Sequence, residues 1–87
     1  MLKTTWYFEV VVLQKRPYIR QEWCERILAN PLRRETRPAG HIRYWGRVPE
    51  FGNRIFRVMT LADGEIVHNA FPDRGYLVRY NGAEQDG

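Results

Sequence analysis

The first segment of the chain is dominated by apolar residues and is predicted to be a β-strand from Thr4 to Leu13. Large apolar side chains recur at every second position from Trp6, which indicates one apolar face. The positions between them are also mostly apolar, with Glu9 as the exception. Apolar residues on both faces are typical of a strand that is covered on both sides, so we expect this segment in the interior.

The apolar spacing changes to three and four residues after Lys15, which predicts one helix of roughly three turns. Pro17 suits the first turn of a helix, and Pro31 ends the helix at about Asn30. The predicted buried stripe contains Ile19, Trp23, Cys24, Ile27 and Leu28. We therefore expect the helix to pack on a sheet through this stripe.

Alternation of apolar and polar residues returns after the helix, interrupted by turn residues. The predicted strands are Leu32–Arg37, His41–Val48, Arg54–Leu61, Glu65–Phe71 and Tyr76–Tyr80. Asp63-Gly64 is the strongest hairpin signal, because this dipeptide favours a tight turn between antiparallel strands. A strand, a helix and then successive antiparallel strands predict an α+β fold, with one N-terminal helix packed on an antiparallel sheet of about four to six strands. Residues 1–80 are expected to form a single domain and residues 81–87 a flexible tail.

Length and composition limit the function classes. The chain has 87 residues, enough for one modest core but too few for a dinucleotide-binding fold or a two-domain cleft. No apolar run approaches the roughly 18 residues that span a bilayer, and the N-terminal residues lack the pattern of a signal peptide. The single cysteine, Cys24, cannot form an internal disulfide. We therefore expect a cytoplasmic protein that has no membrane partner.

The distribution of charge suggests a partner. The net charge is +4, and twelve of the 14 basic residues are arginines. Residues 15–57 contain eleven basic and four acidic residues, a net charge of +7, whereas residues 58–87 have a net charge of −3. This asymmetry favours a basic face. Arginine forms paired hydrogen bonds with phosphate and stacks on bases, which suits a nucleic-acid partner. The alternative is that the arginines reflect only a codon bias.

Three passages of the chain together resemble a known family: Tyr18–Pro31, Ile42–Val48 and Arg54–Phe71. A helix that ends at a proline and is followed by arginine-bearing antiparallel strands is similar to the small RelE/BrnT-like toxins of the barnase, EndoU, colicin and RelE class. The resemblance implies metal-independent cleavage of RNA, often messenger RNA. It also implies a cognate antitoxin that neutralises the toxin.

The candidate catalytic residues are His68 and Arg57. Cleavage of RNA without a metal needs groups that move protons and a cation that stabilises the phosphorane. A two-residue turn at Asp63-Gly64 would pair His68 with Met59 and place Arg57 one diagonal away on the same face. The alternative is that His68 lies in an apolar strand and only bonds a neighbour.

The candidate RNA-binding residues are Arg43, Trp45 and Arg47, with Arg33 and Arg34 on the neighbouring strand. The first three alternate along one side of a predicted strand, so a base could stack on the tryptophan while the flanking arginines contact phosphates. The alternative is an ordinary solvated strand face in which Trp45 is covered by the helix or a loop.

No metal or cofactor is expected. Cys24, His41 and His68 lack the spacing of metal ligands, and the glycines occur singly rather than in a phosphate-binding loop.

Three hypotheses for the function remain open. The first is an RNA-cleaving, toxin-like domain, and the second is a non-catalytic module that binds nucleic acid or an acidic protein. The third is an assembly subunit whose first or last strand extends a partner's sheet, as in a homodimer.

Overall fold

The computed structural model describes residues 2–80, which form an α+β fold around one five-stranded sheet. The strands are β1 (Lys3–Thr4), β2 (Arg33–Thr36), β3 (Ile42–Val48), β4 (Arg54–Thr60) and β5 (Ile66–Pro72). Their order across the sheet is β1-β5-β4-β3-β2, and every neighbouring pair is antiparallel except β1 with β5. The predicted fold class is thereby confirmed, whereas the predicted tail at residues 81–87 lies outside the described residues.

The predicted N-terminal strand Thr4–Leu13 is wrong beyond its first residue. Only Lys3–Thr4 pairs with β5, and residues 6–15 form a helix that is π-helical at Phe8–Val12. Phe8 and Val12 are fully buried, one helical turn apart, whereas Trp6 and Val10 are exposed. In a segment that is almost entirely apolar, periods of two and of nearly four both fit, and the burial of a single face selects the helix.

Thr5 explains where this N-terminal helix begins. Its hydroxyl oxygen accepts a hydrogen bond from the Phe8 amide at 3.1 Å, and its own amide donates to the Val67 carbonyl at 2.9 Å. The first bond is the usual N-cap arrangement, in which a threonine satisfies an amide that has no partner within the helix. Thr5 therefore joins the helix to β5 at the edge of the sheet.

The central helix runs over Gln21–Ala29. It begins four residues after Pro17, the predicted start. The chain first turns at residues 17–18 to reverse direction after the N-terminal helix, and Arg20 is still extended. The predicted end is confirmed, since Asn30 caps the helix just before Pro31. Trp23, Cys24 and Ile27 are buried as expected.

The N-terminal helix and the central helix cover the same face of the sheet, and the main core lies between the helices and the sheet. The sheet contributes to this core from alternate positions, among them Tyr44 and Val48 on β3 and Phe56 and Val58 on β4. Gly46 lets the central helix approach closely, because an added Cβ would lie 2.7 Å from Cγ1 of Ile27. The odd positions of β3 consequently face away from the helices.

The β4–β5 hairpin closes at the predicted turn. Gly64 has a φ of 74°, a value that favours glycine, and the Asp63 carboxylate accepts hydrogen bonds from the amides of Glu65 and Ile66. Thr60 pairs with Val67, which is the register expected from a two-residue turn. The predicted hairpin at Asp63-Gly64 is therefore confirmed, and the predicted register holds for the strand residues nearest the turn.

The predicted last strand, Tyr76–Tyr80, is wrong, because residues 76–80 are helical. Asp73 starts this turn, with its carboxylate accepting from the Gly75 amide at 3.1 Å and its carbonyl from the Tyr76 amide at 3.3 Å. The C-terminal helix lies on the sheet face opposite the other two helices, where Tyr76 packs with Trp45 and Ile55 in a second, smaller core. Within residues 2–80, no helix is long and apolar enough to cross a membrane.

Candidate nucleic-acid interface

Three arginines from three adjacent strands share the sheet face that the C-terminal helix partly covers. In the sheet register, Trp45 pairs with Arg33 on β2 and with Arg57 on β4, while Arg43 lies two residues along β3 from Trp45. Residues at these positions point to the same side of the sheet. We call Arg33, Arg43 and Arg57 the arginine face.

The arginine face has too few carboxylates to balance its charge. Glu35 is the nearest acid to two of its members, 3.7 Å from Arg33 and 3.9 Å from Arg43, but its closest ion pair is with Arg37 at 3.0 Å. Within residues 2–80, Arg57 has no carboxylate at ion-pairing distance. A single acid is thus shared by several guanidinium groups.

The positive charges of Arg57 and Arg43 repel one another. Partial burial of Arg57 and repulsion from Arg43 lower the pKa of the Arg57 guanidinium below its usual value. Attraction to Asp73 opposes this shift without cancelling it, so the described residues compensate the Arg57 charge only in part. In addition, the buried Nε atoms of Arg33 and Arg43 have no hydrogen-bond partner within residues 2–80. An anion bound between Arg43 and Arg57 would offset the repulsion between their charges.

Aromatic rings contact two of the three arginines of the arginine face, Arg33 and Arg57, without neutralising them. The guanidinium carbon of Arg33 lies 3.9 Å from the ring centroid of Tyr80, and that of Arg57 lies 4.4 Å from the centroid of Phe71. Arg16 approaches the same Phe71 ring at 5.6 Å. Cation–π contacts orient a guanidinium and leave its positive charge in place, so these two arginines are positioned and still electropositive.

Trp45 is not available for base stacking, which corrects its predicted role. It is completely buried, its indole N–H donates to the Asp73 carboxylate at 2.8 Å, and the rings of Tyr76 and Tyr80 cover it. Asp73 also accepts from Arg79 at 2.6 Å. The alternative, in which Trp45 is covered rather than exposed to a ligand, is therefore the correct one, and the cover is the C-terminal helix.

Arg34 and Arg47 lie apart from the arginine face. Arg34 pairs with Tyr44 and points to the opposite side of the sheet, where its guanidinium lies 5.7 Å from the Tyr44 ring. Arg47 is on the same side as Trp45 but at the other end of β3, and it donates to the Asn53 carbonyl at 3.2 Å. Arg47 also lines a cavity of about 370 Å³ with Arg54 and Arg74.

His68 is displaced from its predicted partner by a β-bulge. Met59 pairs with Asn69 and Thr60 pairs with Val67, so His68 is the extra residue between them. The predicted pairing of His68 with Met59 is therefore wrong, and so is the placement of Arg57 one diagonal from it. Beyond the bulge the register shifts by one residue, and Arg57 lies opposite Phe71.

His68 instead belongs to a column of three rings, which we call the ring column: Tyr7, His68 and His41. The Tyr7 and His68 centroids are 4.9 Å apart with 25° between the planes, and the His68 and His41 centroids are 6.0 Å apart with 13° between the planes. His41 lies two residues before Arg43, so the column adjoins the arginine face.

Thr5 sets the orientation of the His68 ring. The Thr5 hydroxyl oxygen and Nδ1 of His68 are 3.0 Å apart, and the same oxygen already accepts from the Phe8 amide. When the hydroxyl donates to Nδ1, the neutral imidazole carries its proton on Nε2. His68 thus bonds a neighbouring side chain, as the alternative interpretation had it, and its second nitrogen stays outside that bond.

No family model, curated protein or solved structure matches this chain. The likeness to RelE/BrnT-like toxins therefore rests on the sequence passages alone. Any function has to be argued from the arginine face and the ring column.

Other reactive groups do not form a second site. Burial, and to a lesser degree the charge of Glu25, raises the pKa of the Cys24 thiol to about 12, so Cys24 stays a neutral core residue, as expected. Among residues 2–80, no three His, Cys, Asp or Glu side chains are close enough to hold a metal ion.

Two residues of the ring column were not predicted as site residues. His41 was visible in sequence only as a histidine at the start of a strand, directly after Gly40. Tyr7 carried no signal, because the segment containing it was assigned to a strand. A helical assignment of residues 6–15 would have offered Tyr7 as a residue on a partly exposed helix face.

Proposed function

We propose that this protein binds RNA through the arginine face. The observation that carries the proposal is the Arg43–Arg57 pair, two cations that repel one another, of which Arg57 has no carboxylate at ion-pairing distance within residues 2–80. Positive charges that residues 2–80 balance only in part, on a sheet face that is only partly covered, favour a polyanion with repeated phosphates. The resemblance to RelE/BrnT-like toxins supports RNA as that polyanion.

A second candidate function is metal-independent cleavage of the bound RNA, favoured by the two adjacent imidazoles of the ring column. In this reaction the 2′-oxygen forms a bond to phosphorus, and the bond from phosphorus to the 5′-oxygen breaks. One imidazole takes the 2′-hydroxyl proton and the other gives a proton to the leaving oxygen, which leaves a 2′,3′-cyclic phosphate. Arg43, two residues from His41, would stabilise the negative charge on the phosphorane.

The cellular setting remains part of the proposal. A toxin-like RNA-cleaving domain would act in the cytoplasm and would be neutralised by a cognate antitoxin. A non-catalytic module, a protein-binding module or a homodimer would use the same surface without chemistry, and these alternatives are outcomes of the two experiments that follow.

Binding is tested by fluorescence anisotropy with a labelled RNA at two salt concentrations. Arg43→Ala and Arg57→Ala should each weaken binding by about tenfold and reduce its salt dependence, because each removes a cation from a phosphate contact. Arg34→Ala is the matched control, since it removes the same charge from the opposite side of the sheet. Equal losses for all three variants, or none, would contradict the proposal.

Cleavage is tested with the same RNA in excess EDTA, followed by analysis of the product ends. The wild-type protein should give cyclic or 3′-phosphate ends, and His68→Ala and His41→Ala should lose at least about a hundredfold in rate, the usual scale of general acid–base catalysis. Circular dichroism shows whether the variants remain folded. Intact RNA with wild-type protein, while anisotropy still reports binding, would leave a non-catalytic binding module.

A further inference from the structure

We infer that the bound RNA is single-stranded and that one unpaired base stacks on Tyr7, at the outer end of the ring column. The inference rests on the proposed RNA binding and specifies which form of RNA the site accepts. It depends on the ring geometry, on the rigidity of the segment that presents Tyr7, and on the position of the column beside the arginine face.

The ring column is already arranged as a base stack. Its planes are nearly parallel, with angles of 25° and 13° between neighbours, and its centroids are 4.9 Å and 6.0 Å apart. His68 has two nearly parallel ring neighbours, Tyr7 and His41, whereas Tyr7 is 39% exposed and has no second ring neighbour within residues 2–80. A flat aromatic ligand can therefore extend the column only at its ends, of which Tyr7 is the more solvent-exposed.

Tyr7 is presented by a rigid segment. Thr5 caps the helix at the Phe8 amide and holds His68 through the same oxygen, and Phe8, which follows Tyr7, is completely buried. A ring that is fixed before binding loses little conformational entropy when a base stacks on it. Stacking of one base on an aromatic side chain is worth about 1–3 kcal/mol by alanine substitution.

The column and the arginine face can serve one RNA strand. His41 closes the inner end of the column and lies two residues from Arg43, about 7 Å along a strand. A strand whose phosphates contact Arg43 and Arg57 would thus pass the column with its neighbouring nucleotides. In a duplex the flat faces of the bases are covered by adjacent base pairs, so only an unpaired base can reach Tyr7.

The experiment compares a single-stranded RNA with a duplex of the same sequence by anisotropy, for four proteins. Tyr7→Ala should weaken single-strand binding by about tenfold and leave duplex binding unchanged. Tyr7→Phe keeps the ring and should retain wild-type affinity. Tyr18→Ala is the matched control, because Tyr18 is 38% exposed and stacks on Phe51, away from the column.

The outcomes separate this inference from the proposed function. If Arg57→Ala weakens RNA binding but Tyr7→Ala does not, or if Tyr7→Ala weakens single-strand and duplex binding alike, single-strand stacking is wrong and RNA binding stands. Equal wild-type affinity for both RNAs would also overturn it. If Arg57→Ala has no effect on RNA binding, the proposed function itself fails.

Discussion

Arg79 and Arg57 lie toward the same side of the sheet and show opposite electrostatics. Arg79 donates to the Asp73 carboxylate at 2.6 Å, and that hydrogen bond raises the pKa of its guanidinium. Arg57 is partly buried beside Arg43, and both effects lower its pKa. The first arginine completes a structural network, whereas the second has a charge that the described residues balance only in part. This contrast distinguishes an arginine that supports the fold from one that can bind an anion.

The Asp73 network explains why the region around Trp45 is closed. Burial opposes ionisation of Asp73, but hydrogen bonds from Trp45 and Arg79 outweigh it and hold the pKa of the carboxyl below its usual value. The carboxylate therefore stays charged while it secures the indole below and the C-terminal helix above. The indole N–H of Trp45 and the carboxylate of Asp73 thus both have partners inside the protein.

The largest expected effect on stability comes from the closed region around Trp45 and Asp73. Trp45→Ala removes a completely buried indole and should lower the free energy of unfolding by about 3–5 kcal/mol, as large cavities do. Urea denaturation followed by circular dichroism measures this loss. A variant as stable as the wild-type protein would mean that Trp45 is not a core residue and would reopen its role as a stacking platform.

Asp73→Asn should destabilise the protein by about 1–3 kcal/mol at neutral pH, because it removes the charge that Arg79 and Trp45 stabilise. The folded pKa of Asp73 lies below that of the unfolded chain, so its contribution is present above the ordinary carboxyl pKa of about 3.9 and is lost as the pH falls through the folded value.

The measurement is the free energy of unfolding between neutral and acidic pH. Wild-type stability should decrease below about pH 4, and Asp73→Asn should flatten that decrease. Glu22→Gln, at an exposed position of the central helix, is the control and should follow the wild-type curve. Identical acid profiles for wild type and Asp73→Asn would show that Asp73 does not stabilise the fold through its charge.

The smallest effect on stability belongs to the arginine face. Arg57→Met keeps apolar contact with Phe71 and removes a charge that Arg43 repels, so the variant should be at least as stable as wild type, within about 0.5 kcal/mol. Its RNA affinity should nevertheless fall by about tenfold. Denaturation and anisotropy on the same samples test both statements, and a strongly destabilised variant would place Arg57 among the structural arginines.

The strand pattern explains what could be predicted about the site. Alternation along His41–Val48 put Arg43 and Trp45 on one side, and the Asp63-Gly64 turn brought β4 and β5 together. Arg33 and Arg43 therefore emerged on one surface, as predicted. These features depend on the two-residue period of a strand and on local turn chemistry, both of which are properties of the sequence itself.

The remaining features depend on tertiary contacts. The N-terminal helix was missed because an almost uniformly apolar segment satisfies either period, and its contacts with β5 decide between them. The bulge at His68 accompanies the bond to Thr5, which is 63 residues away in sequence. The covering of Trp45 depends on Asp73, whose role as an acceptor for an indole 28 residues earlier has no local signature.

The central claim is tested most directly by NMR of the arginine Nε–Hε groups during titration with a short single-stranded RNA. The account predicts that the Arg43 and Arg57 signals shift as RNA is added, while the Arg79 signal, held by Asp73, stays in place. Shifts confined to Arg79 or Arg34, with Arg43 and Arg57 unmoved, would contradict it.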